Sequence, residues 1–183
     1  YCAWDAAGFA LFEDFSSGAF AEGWTLVDVD GQTPDANVAY VTDAWEATDT
    51  VTAGDPAAIS TSWYSPAGAA DDWMVTPPVS VTATSTLSWD GRAPDADFPD
   101  GYQVFVVDSG DADFQGFLGS GDPTAFLAGA GATPLFEVAG EESDYVTHME
   151  SLAAFAGTDV YIAWRNNSND QFVLLIDNIS VTE

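Results

Sequence analysis

The chain has 183 residues, which suits a single domain that is large enough to bury a real core. Thirty acidic residues stand against two basic ones and give a formal net charge of −28, although 47% of the residues are hydrophobic. The apolar content excludes disorder, and the lack of any basic patch excludes nucleic acid and anionic membrane surfaces as partners.

The sequence offers neither a membrane span nor an internal disulfide. No stretch approaches the roughly 18 consecutive apolar residues that a membrane-spanning helix needs. Its single cysteine, Cys2, is therefore either a free thiol or an intermolecular one. The chain begins at Tyr1 without an initiator methionine or a signal peptide, which is typical of a processed or excerpted chain and favours secretion.

Residues 1–10 are apolar and aromatic and carry a single charge, so they are unlike an ordinary solvated tail. We interpret them as an N-terminal extension to a domain that comprises residues 11–183. Such a segment either packs on its own domain or adds a strand to an open sheet edge of a neighbour. The second alternative makes Cys2, Trp4 and Phe9 candidates for self-assembly into a filament.

From residue 11 onward, short apolar stretches alternate with turns that are rich in Gly, Pro and Asp. Strands are predicted at 11–15, 24–28, 38–41, 57–63, 79–81, 86–92, 102–107, 134–138, 145–150 and 160–165, with one short helix at 123–128. Strands of about six residues with little helical periodicity predict an all-β protein, a sandwich of two antiparallel sheets.

The last strand carries an informative carboxylate. Residues 172–176 form a continuous apolar run, which is typical of a strand covered on both faces. Asp177 follows and, by the two-residue period of a strand, points to the same side as Val173 and Ile179. A carboxylate on an apolar face needs compensation. Because the chain has no lysine, we expect either Arg165 or a bound cation such as Ca²⁺ to supply it.

A second candidate cation site lies in the turn Asp28-Val29-Asp30-Gly31. Alternate carboxylates before a glycine can wrap Ca²⁺ with oxygen ligands. The same pattern also forms ordinary turns, because Asp favours turns in general. Asp71 and Asp72 are predicted to cap or brace the turn at residues 76–78, with metal binding as the less favoured alternative.

The composition does not favour catalysis. With one histidine, no lysine and one cysteine near the terminus, the usual pairs of nucleophile and base cannot be built. His148 alternates with polar neighbours and is predicted to lie on the surface. Two carboxylates could hydrolyse glycosides, but thirty acids bring such pairs together by chance.

The seven tryptophans raise the alternative of carbohydrate binding, because exposed aromatic faces stack on sugars. Four of them lie within strand patterns and are predicted to belong to the core. Trp45 and the adjacent pair Trp63 and Tyr64 are flanked by polar loops, so they are the better candidates for an exposed platform.

Nine motifs follow one another in order over residues 11–182. They are Glu13-Asp-Phe, Gly23-Trp24, Asp28-Val-Asp-Gly, Ser60, Asp71-Asp-Trp-Met-Val-Thr-Pro, Leu87-Ser-Trp-Asp-Gly-Arg, Tyr102-Gln-Val-Phe-Val, Val160-Tyr-Ile-Ala-Trp-Arg and Ile176-Asp-Asn-Ile. Together they resemble the cleaved-adhesin family, also known as choice-of-anchor J domains, which is related to the jelly rolls of MAM type.

The resemblance implies a jelly-roll β-sandwich of bacterial surface or secreted proteins, with adhesion rather than catalysis as its role and with structural Ca²⁺. It also implies that Glu13 on the first strand and Asp177 on the last are calcium-binding acids, so we expect a site that joins these strands. The expected partners are host or matrix proteins, glycan surfaces or copies of the chain itself, in an extracellular or cell-surface location.

Overall fold

A computed structural model describes residues 8–129 and 131–183 of the chain. Within this part the protein consists of two antiparallel β-sheets, two short helices and connecting loops. The predicted jelly-roll sandwich is confirmed.

Twelve strands are present in the described residues. In chain order they are β1 (Phe9–Glu13), β2 (Thr25–Asp28), β3 (Glu46–Thr48), β4 (Ala57–Thr61), β5 (Asp72–Val75), β6 (Val79–Ser80), β7 (Thr86–Arg92), β8 (Tyr102–Asp108), β9 (Phe136–Val138), β10 (Val146–Ser151), β11 (Asp159–Asn166) and β12 (Val173–Thr182). Helices α1 (Ala112–Ser120) and α2 (Thr124–Ala128) follow β8, and a single 3₁₀ turn (Ala153–Phe155) follows β10.

Each sheet has six strands. The first has the order β10-β7-β12-β4-β3, and β1 also pairs with β12; the second has the order β2-β5-β11-β8-β9, and β6 also pairs with β11. The first and last strands of the chain are therefore neighbours in one sheet. The predicted boundary at residue 11 falls inside β1, because Phe9 already pairs with Thr182 of the same chain.

The main core fills the space between the two sheets. Trp89 from the first sheet and Trp164 from the second are fully buried there, with ring centroids 6.2 Å apart. Trp24 packs against this core from the loop before β2, and Trp73 is buried on the other side of the second sheet. The prediction that these four tryptophans are core residues is confirmed.

Both sheets are also covered on their outer faces. Helices α1 and α2 lay Phe114, Phe117 and Phe126 on the second sheet, around Trp73 and Phe105. On the first sheet, the loops after β2 and β4 cover a smaller apolar cluster; its buried members are Val38, Val41, Ala57, Ile59, Val173 and Leu175. This double cover explains why β4, β5 and the first half of β12 are buried at every position.

A β-bulge interrupts β12 and changes which face its side chains occupy. On the neighbouring β7, Asp177 pairs with Asp90 and Ser180 pairs with Ser88, so three steps on one strand match two on the other. Asn178 has a left-handed φ of 49° at this point. An extra residue shifts the alternation by one. Ile179 therefore faces the main core, whereas Asp177 continues the outer face of the strand.

The structure differs from the predicted elements at residues 38–41, and it contains helix α1 and strands β3 and β5, which were not predicted. Residues 38–41 form turns rather than a strand, and their apolar side chains cover the first sheet instead of joining it. Helix α1 was not predicted, since Gly116 and Gly119 weaken its helical pattern. The helix is nevertheless capped, because the Asp111 side chain accepts a hydrogen bond from Phe114 N at 2.8 Å.

Candidate functional site

Three carboxylates from distant parts of the sequence meet at one end of the second sheet. Asp28 ends β2 and Asp72 begins β5, and these residues are direct partners in the antiparallel pairing of the two strands. Asp30 lies in the turn that follows β2. One oxygen from each carboxylate lies within 4.8 Å of those from the other two. In the described part of the chain, no other group of three acids, cysteines or histidines is close enough to share an ion.

Hydrogen bonds from the backbone of the turn after β2 orient the carboxylates of Asp28 and Asp30. Asp28 Oδ1 accepts from Gly31 N at 2.6 Å, and Asp30 Oδ1 accepts from Gln32 N at 2.8 Å. Gly31 has a φ of 61°, a left-handed conformation that suits glycine. The second oxygen of Asp30 accepts from Asp71 N at 2.6 Å, which ties the turn to the start of β5.

Asp72 is the buried member of this acidic cluster of Asp28, Asp30 and Asp72. Only 4% of Asp72 is exposed, and its Oδ2 accepts a hydrogen bond from the Tyr64 hydroxyl at 2.6 Å. Burial, and then the negative charges of Asp30 and Asp28, raise the pKa of Asp72 to about 8 against the opposing effect of the Tyr64 hydrogen bond. Burial and the nearby Asp72 likewise raise the pKa of Tyr64.

A cavity of about 30 Å³ lies between these carboxylates, next to Tyr64 and Thr61. Its volume is that of about one water molecule or a single ion. Four aspartates line it (Asp28, Asp30, Asp43 and Asp72), and no cysteine or histidine does. Oxygen ligands of this kind suit a hard divalent cation such as Ca²⁺ rather than Zn²⁺. The residues present therefore fit a calcium ion.

The structure places the other predicted pair of calcium-binding acids on two faces of the first sheet. Glu13 lies on the inner face with Leu11, which belongs to the main core, and its Oε1 accepts from Phe15 N at 2.9 Å. Asp177 lies on the outer face with Val173, and its Oδ1 accepts from Asn178 N at 2.7 Å. The two side chains are not brought together, and the calcium role of each stays a prediction.

Asp177 is nevertheless buried among other acids. Burial raises its pKa to about 6, and the charges of Asp55, Asp90 and Asp14 add to this effect. Burial also raises the pKa of Glu13. The alternative of an ion pair between Asp177 and Arg165 is wrong, because Arg165 binds Asp71 with Nε–Oδ1 and Nη2–Oδ2 distances of 2.7 and 3.0 Å.

The predicted role of Asp71 and Asp72 as braces of the turn at residues 76–78 is also wrong. Asp71 binds Arg165 and accepts a hydrogen bond from Trp73 Nε1 at 2.7 Å, while Asp72 joins the acidic cluster. Metal binding at Asp72 was only the less favoured alternative in the sequence, because its neighbours Asp28 and Asp30 lie more than 40 positions away. The signal that could have found it is the pairing of β2 with β5.

The aromatic residues that were predicted to form an exposed platform separate into two groups. Trp45 and Tyr64 are buried, with 1% and 5% exposed, so the prediction is wrong for both. Trp45 lies in the main core, where its indole N–H donates to the Asp72 carbonyl at 3.2 Å. Trp63 is partly exposed and lines an open pocket with Phe98 and Phe172.

The only histidine of the sequence is not the surface residue that was predicted. His148 Nε2 lies 2.7 Å from Glu141 Oε2, its ring stacks on Trp89, and 17% of its side chain is exposed. The same Glu141 oxygen accepts a hydrogen bond from the Tyr102 hydroxyl at 2.8 Å. Glu141, His148 and Tyr102 therefore form a hydrogen-bonded network beside the core, which we call the Glu141 network.

Of the residues predicted for self-assembly, Cys2 and Trp4 lie outside the described residues. Phe9 belongs to β1 and packs on Phe12 with ring centroids 5.4 Å apart. It pairs within its own chain, and its role in assembly stays a prediction.

Comparison with known proteins decides the family. The model of the cleaved adhesin domain matches residues 9–181, which is nearly the whole chain. The chain belongs to the cleaved adhesin family. Within the described residues, neither helix of this cleaved adhesin domain has the length and apolar character to cross a membrane.

Relatives of this cleaved adhesin domain include a bacterial haemagglutinin. The chain is 30% identical over 195 residues to Hemagglutinin A of Porphyromonas gingivalis. The matched region covers 97% of this chain and 7% of that protein. The chain thus spans a small part of the curated relatives that it matches.

Solved structures that share the fold include the following two. One is the K3 cleaved adhesin domain of Lys-gingipain from Porphyromonas gingivalis, with a TM-score of 0.67, 23% identity and coverage of 96% of this chain and 98% of that one. The other is the CBM22-1 xylan-binding domain of Paenibacillus barcinonensis Xyn10C, with a TM-score of 0.52, 12% identity and coverage of 98% and 97%.

Proposed function

We propose that this chain is a non-catalytic adhesion domain of a bacterial cell surface, stabilised by Ca²⁺ at the acidic cluster. Membership of the cleaved adhesin family supports the adhesive role. The observation that carries the calcium assignment is the convergence of Asp28, Asp30 and Asp72 around a cavity of ion size. An extracellular or cell-surface location accords with the haemagglutinin among its relatives.

The electrostatics of the cluster support a cation. Asp72 is buried, and no basic side chain hydrogen-bonds to any of the three carboxylates in the described part of the chain. Ionised carboxylates this close together repel one another. A calcium ion would supply the missing positive charge, with Asp72 holding it from β5, Asp28 from the end of β2 and Asp30 from the turn that follows. Binding would thereby fasten that turn to the sheet.

A second calcium position at Asp177 has weaker support. Asp177 is buried beside Asp90 and near Asp14 and Asp55, so a cation there would also relieve repulsion. Glu13 would need a cation of its own, because it faces the other side of the sheet.

Two alternative functions differ in their support. A carbohydrate-binding role is favoured by the open pocket at Trp63, and one protein of the same fold is a xylan-binding domain. The filament alternative depends on residues 1–10, of which Phe9 pairs with the last strand of its own chain. Carbohydrate binding is therefore the second candidate, and it is compatible with an adhesive role.

The proposed function can be tested by adhesion under control of calcium. The fluorescently labelled domain is incubated with erythrocytes and with immobilised matrix proteins, either in about 2 mM Ca²⁺ or in excess chelator. This calcium concentration is above the Kd of extracellular calcium modules, which is on the order of 10⁻⁴ to 10⁻³ M. We expect saturable binding in calcium and its loss in chelator.

The double variant Asp28→Asn/Asp30→Asn should bind weakly even in calcium, whereas Asp144→Asn, an exposed acid outside the cluster, should bind like the parent. Circular dichroism establishes that each variant is folded. Absence of binding to every surface would reject the adhesive role, and binding that ignores both chelator and the double variant would reject the role of calcium.

A further inference from the structure

We propose that the pocket lined by Trp63, Phe98 and Phe172 is a binding site for a sugar ring of an uncharged glycan. This inference deepens the proposed adhesive function and rests on it. The pocket has a volume of about 290 Å³, and Asp95, Asp170 and Gln171 complete its wall. Small-molecule sites begin at about this volume and combine apolar walls with a few polar groups.

The walls of the pocket are aromatic and come from three separate loops. Trp63 follows β4, Phe98 lies between β7 and β8, and Phe172 precedes β12. Trp63 and Phe172 meet edge to face, with centroids 6.1 Å apart and an interplanar angle of 64°. Phe98 is 53% exposed although it is a large apolar side chain. An exposed aromatic of this kind beside two others marks a binding surface.

The hydrogen bonds of the three loops hold the pocket in place without a ligand. Phe172 N donates to the Phe98 carbonyl at 3.1 Å, and the Phe172 carbonyl accepts from Thr61 Oγ1 at 2.6 Å. Ser62 Oγ accepts from Gln171 N at 3.0 Å and donates to the buried Asp100 at 2.6 Å. A site that is already formed loses little entropy on binding, which suits recognition of a small rigid ring.

Charge limits what this pocket can bind. Asp95 and Asp170 line it, and the three basic side chains of the sequence are engaged elsewhere. Arg165 binds Asp71, His148 contacts Glu141, and Arg92 donates to the Ser143 carbonyl at 3.0 Å. With a net charge of −28 and no basic side chain at the pocket, the described surface repels sialylated and sulfated glycans.

A neutral sugar is complementary to both the aromatic and the polar side chains that line the pocket. The C–H face of a pyranose ring packs on aromatic rings, and its hydroxyl groups donate to carboxylates such as Asp95 and Asp170 or to an amide oxygen such as that of Gln171. A cationic side chain from a protein would pair with the carboxylates, but an ammonium or guanidinium head would fill only part of the volume and leave apolar wall in contact with water. The pocket therefore favours the sugar.

The test is binding of soluble oligosaccharides to the whole domain in calcium, measured by calorimetry and by tryptophan fluorescence. The probes are neutral oligosaccharides of xylose, glucose, galactose, mannose and N-acetylglucosamine, their sialylated or sulfated counterparts, and a nona-arginine peptide. We expect at least one neutral oligosaccharide to bind and its anionic counterpart to bind at least about tenfold more weakly.

The variants locate this binding. Phe98→Ala should weaken it by at least about tenfold, whereas Phe98→Tyr, which keeps the ring, should stay within about twofold of the parent. Truncation at Phe98 leaves its backbone hydrogen bonds in place, so the fold should survive. Met149→Ala is the matched control, because Met149 is 67% exposed but lies on β10 outside the pocket.

Three results would overturn the proposal. The first is no binding of any neutral oligosaccharide at millimolar concentration, and the second is oligosaccharide binding that Phe98→Ala leaves unchanged. The third is that Phe98→Ala weakens binding of the nona-arginine peptide but of no oligosaccharide. If the domain adheres to erythrocytes or matrix proteins but binds no neutral oligosaccharide, only the pocket proposal fails. If it adheres to nothing, the adhesive role itself fails.

Discussion

Arg165 and Asp71 form a two-pronged ion pair on the edge of the acidic cluster, with Nε–Oδ1 at 2.7 Å and Nη2–Oδ2 at 3.0 Å. The guanidinium also lies over the Trp73 ring, 5.2 Å from its centroid. Asp71 is thereby neutralised, while the adjacent Asp72 is left among Asp28 and Asp30. Neighbouring acids thus have different roles, one in an ion pair and the other in a candidate metal site.

A double-mutant cycle of Arg165→Gln and Asp71→Asn should reveal this ion pair. Two parallel hydrogen bonds between charged groups that are mostly shielded from water predict a coupling energy of about 1–3 kcal/mol in the free energy of unfolding. The measurement is urea denaturation of the four proteins in calcium. If the two single changes simply add, the pair contributes no specific stability and the assignment is wrong.

Gly91 should be indispensable for the Glu141 network. A Cβ at this position would lie 2.6 Å from Glu141 Oε2 and 2.7 Å from the Tyr102 hydroxyl, two atoms that are hydrogen-bonded to each other. Gly91→Ala should therefore lower the free energy of unfolding by about 1–3 kcal/mol, as overpacking of a core does. Gly116→Ala, at a helical position where a Cβ has open space, is the control and should be neutral or stabilising. Equal effects of the two changes would contradict this account of Gly91.

Asp100 should make stability depend on pH. It is fully buried, and burial raises its pKa from 3.8 to about 7, although a hydrogen bond from Ser62 opposes the shift. The folded state therefore holds this proton more tightly than the unfolded state. The resulting stabilisation is complete below about pH 4 and is lost as the pH rises through 7.

The variant Asp100→Asn isolates this effect, because it has no such proton and keeps an oxygen for Ser62. Its free energy of unfolding relative to the parent should rise by a few kcal/mol between pH 5 and pH 8, as measured by urea denaturation in chelator. Asp144→Asn, at an exposed acid, is the matched control. Parallel curves for the parent and Asp100→Asn would show that Asp100 does not titrate as described.

The sequence predicts the sandwich because short apolar strands and turn residues are local signals. Non-local pairing decides the sites, and it is not visible in one sequence. Asp72 reaches Asp28 only through the register of β2 on β5. Asp177 and Ile179 were predicted to share a face, but a bulge at Asn178 breaks the strict alternation of the strand and turns Ile179 to the main core. The burial of Trp45 depends on how distant segments pack, although its flanking residues are polar.

The central claim, calcium at the acidic cluster, is tested most directly by calorimetric titration of Ca²⁺ into the calcium-free domain. We predict saturable binding with a Kd of at most about 10⁻³ M, the weak end for extracellular calcium modules. Asp72→Asn should weaken that binding by at least about tenfold, and Asp144→Asn should leave it unchanged. Absence of binding at millimolar Ca²⁺, or an affinity that Asp72→Asn does not alter, would contradict the claim.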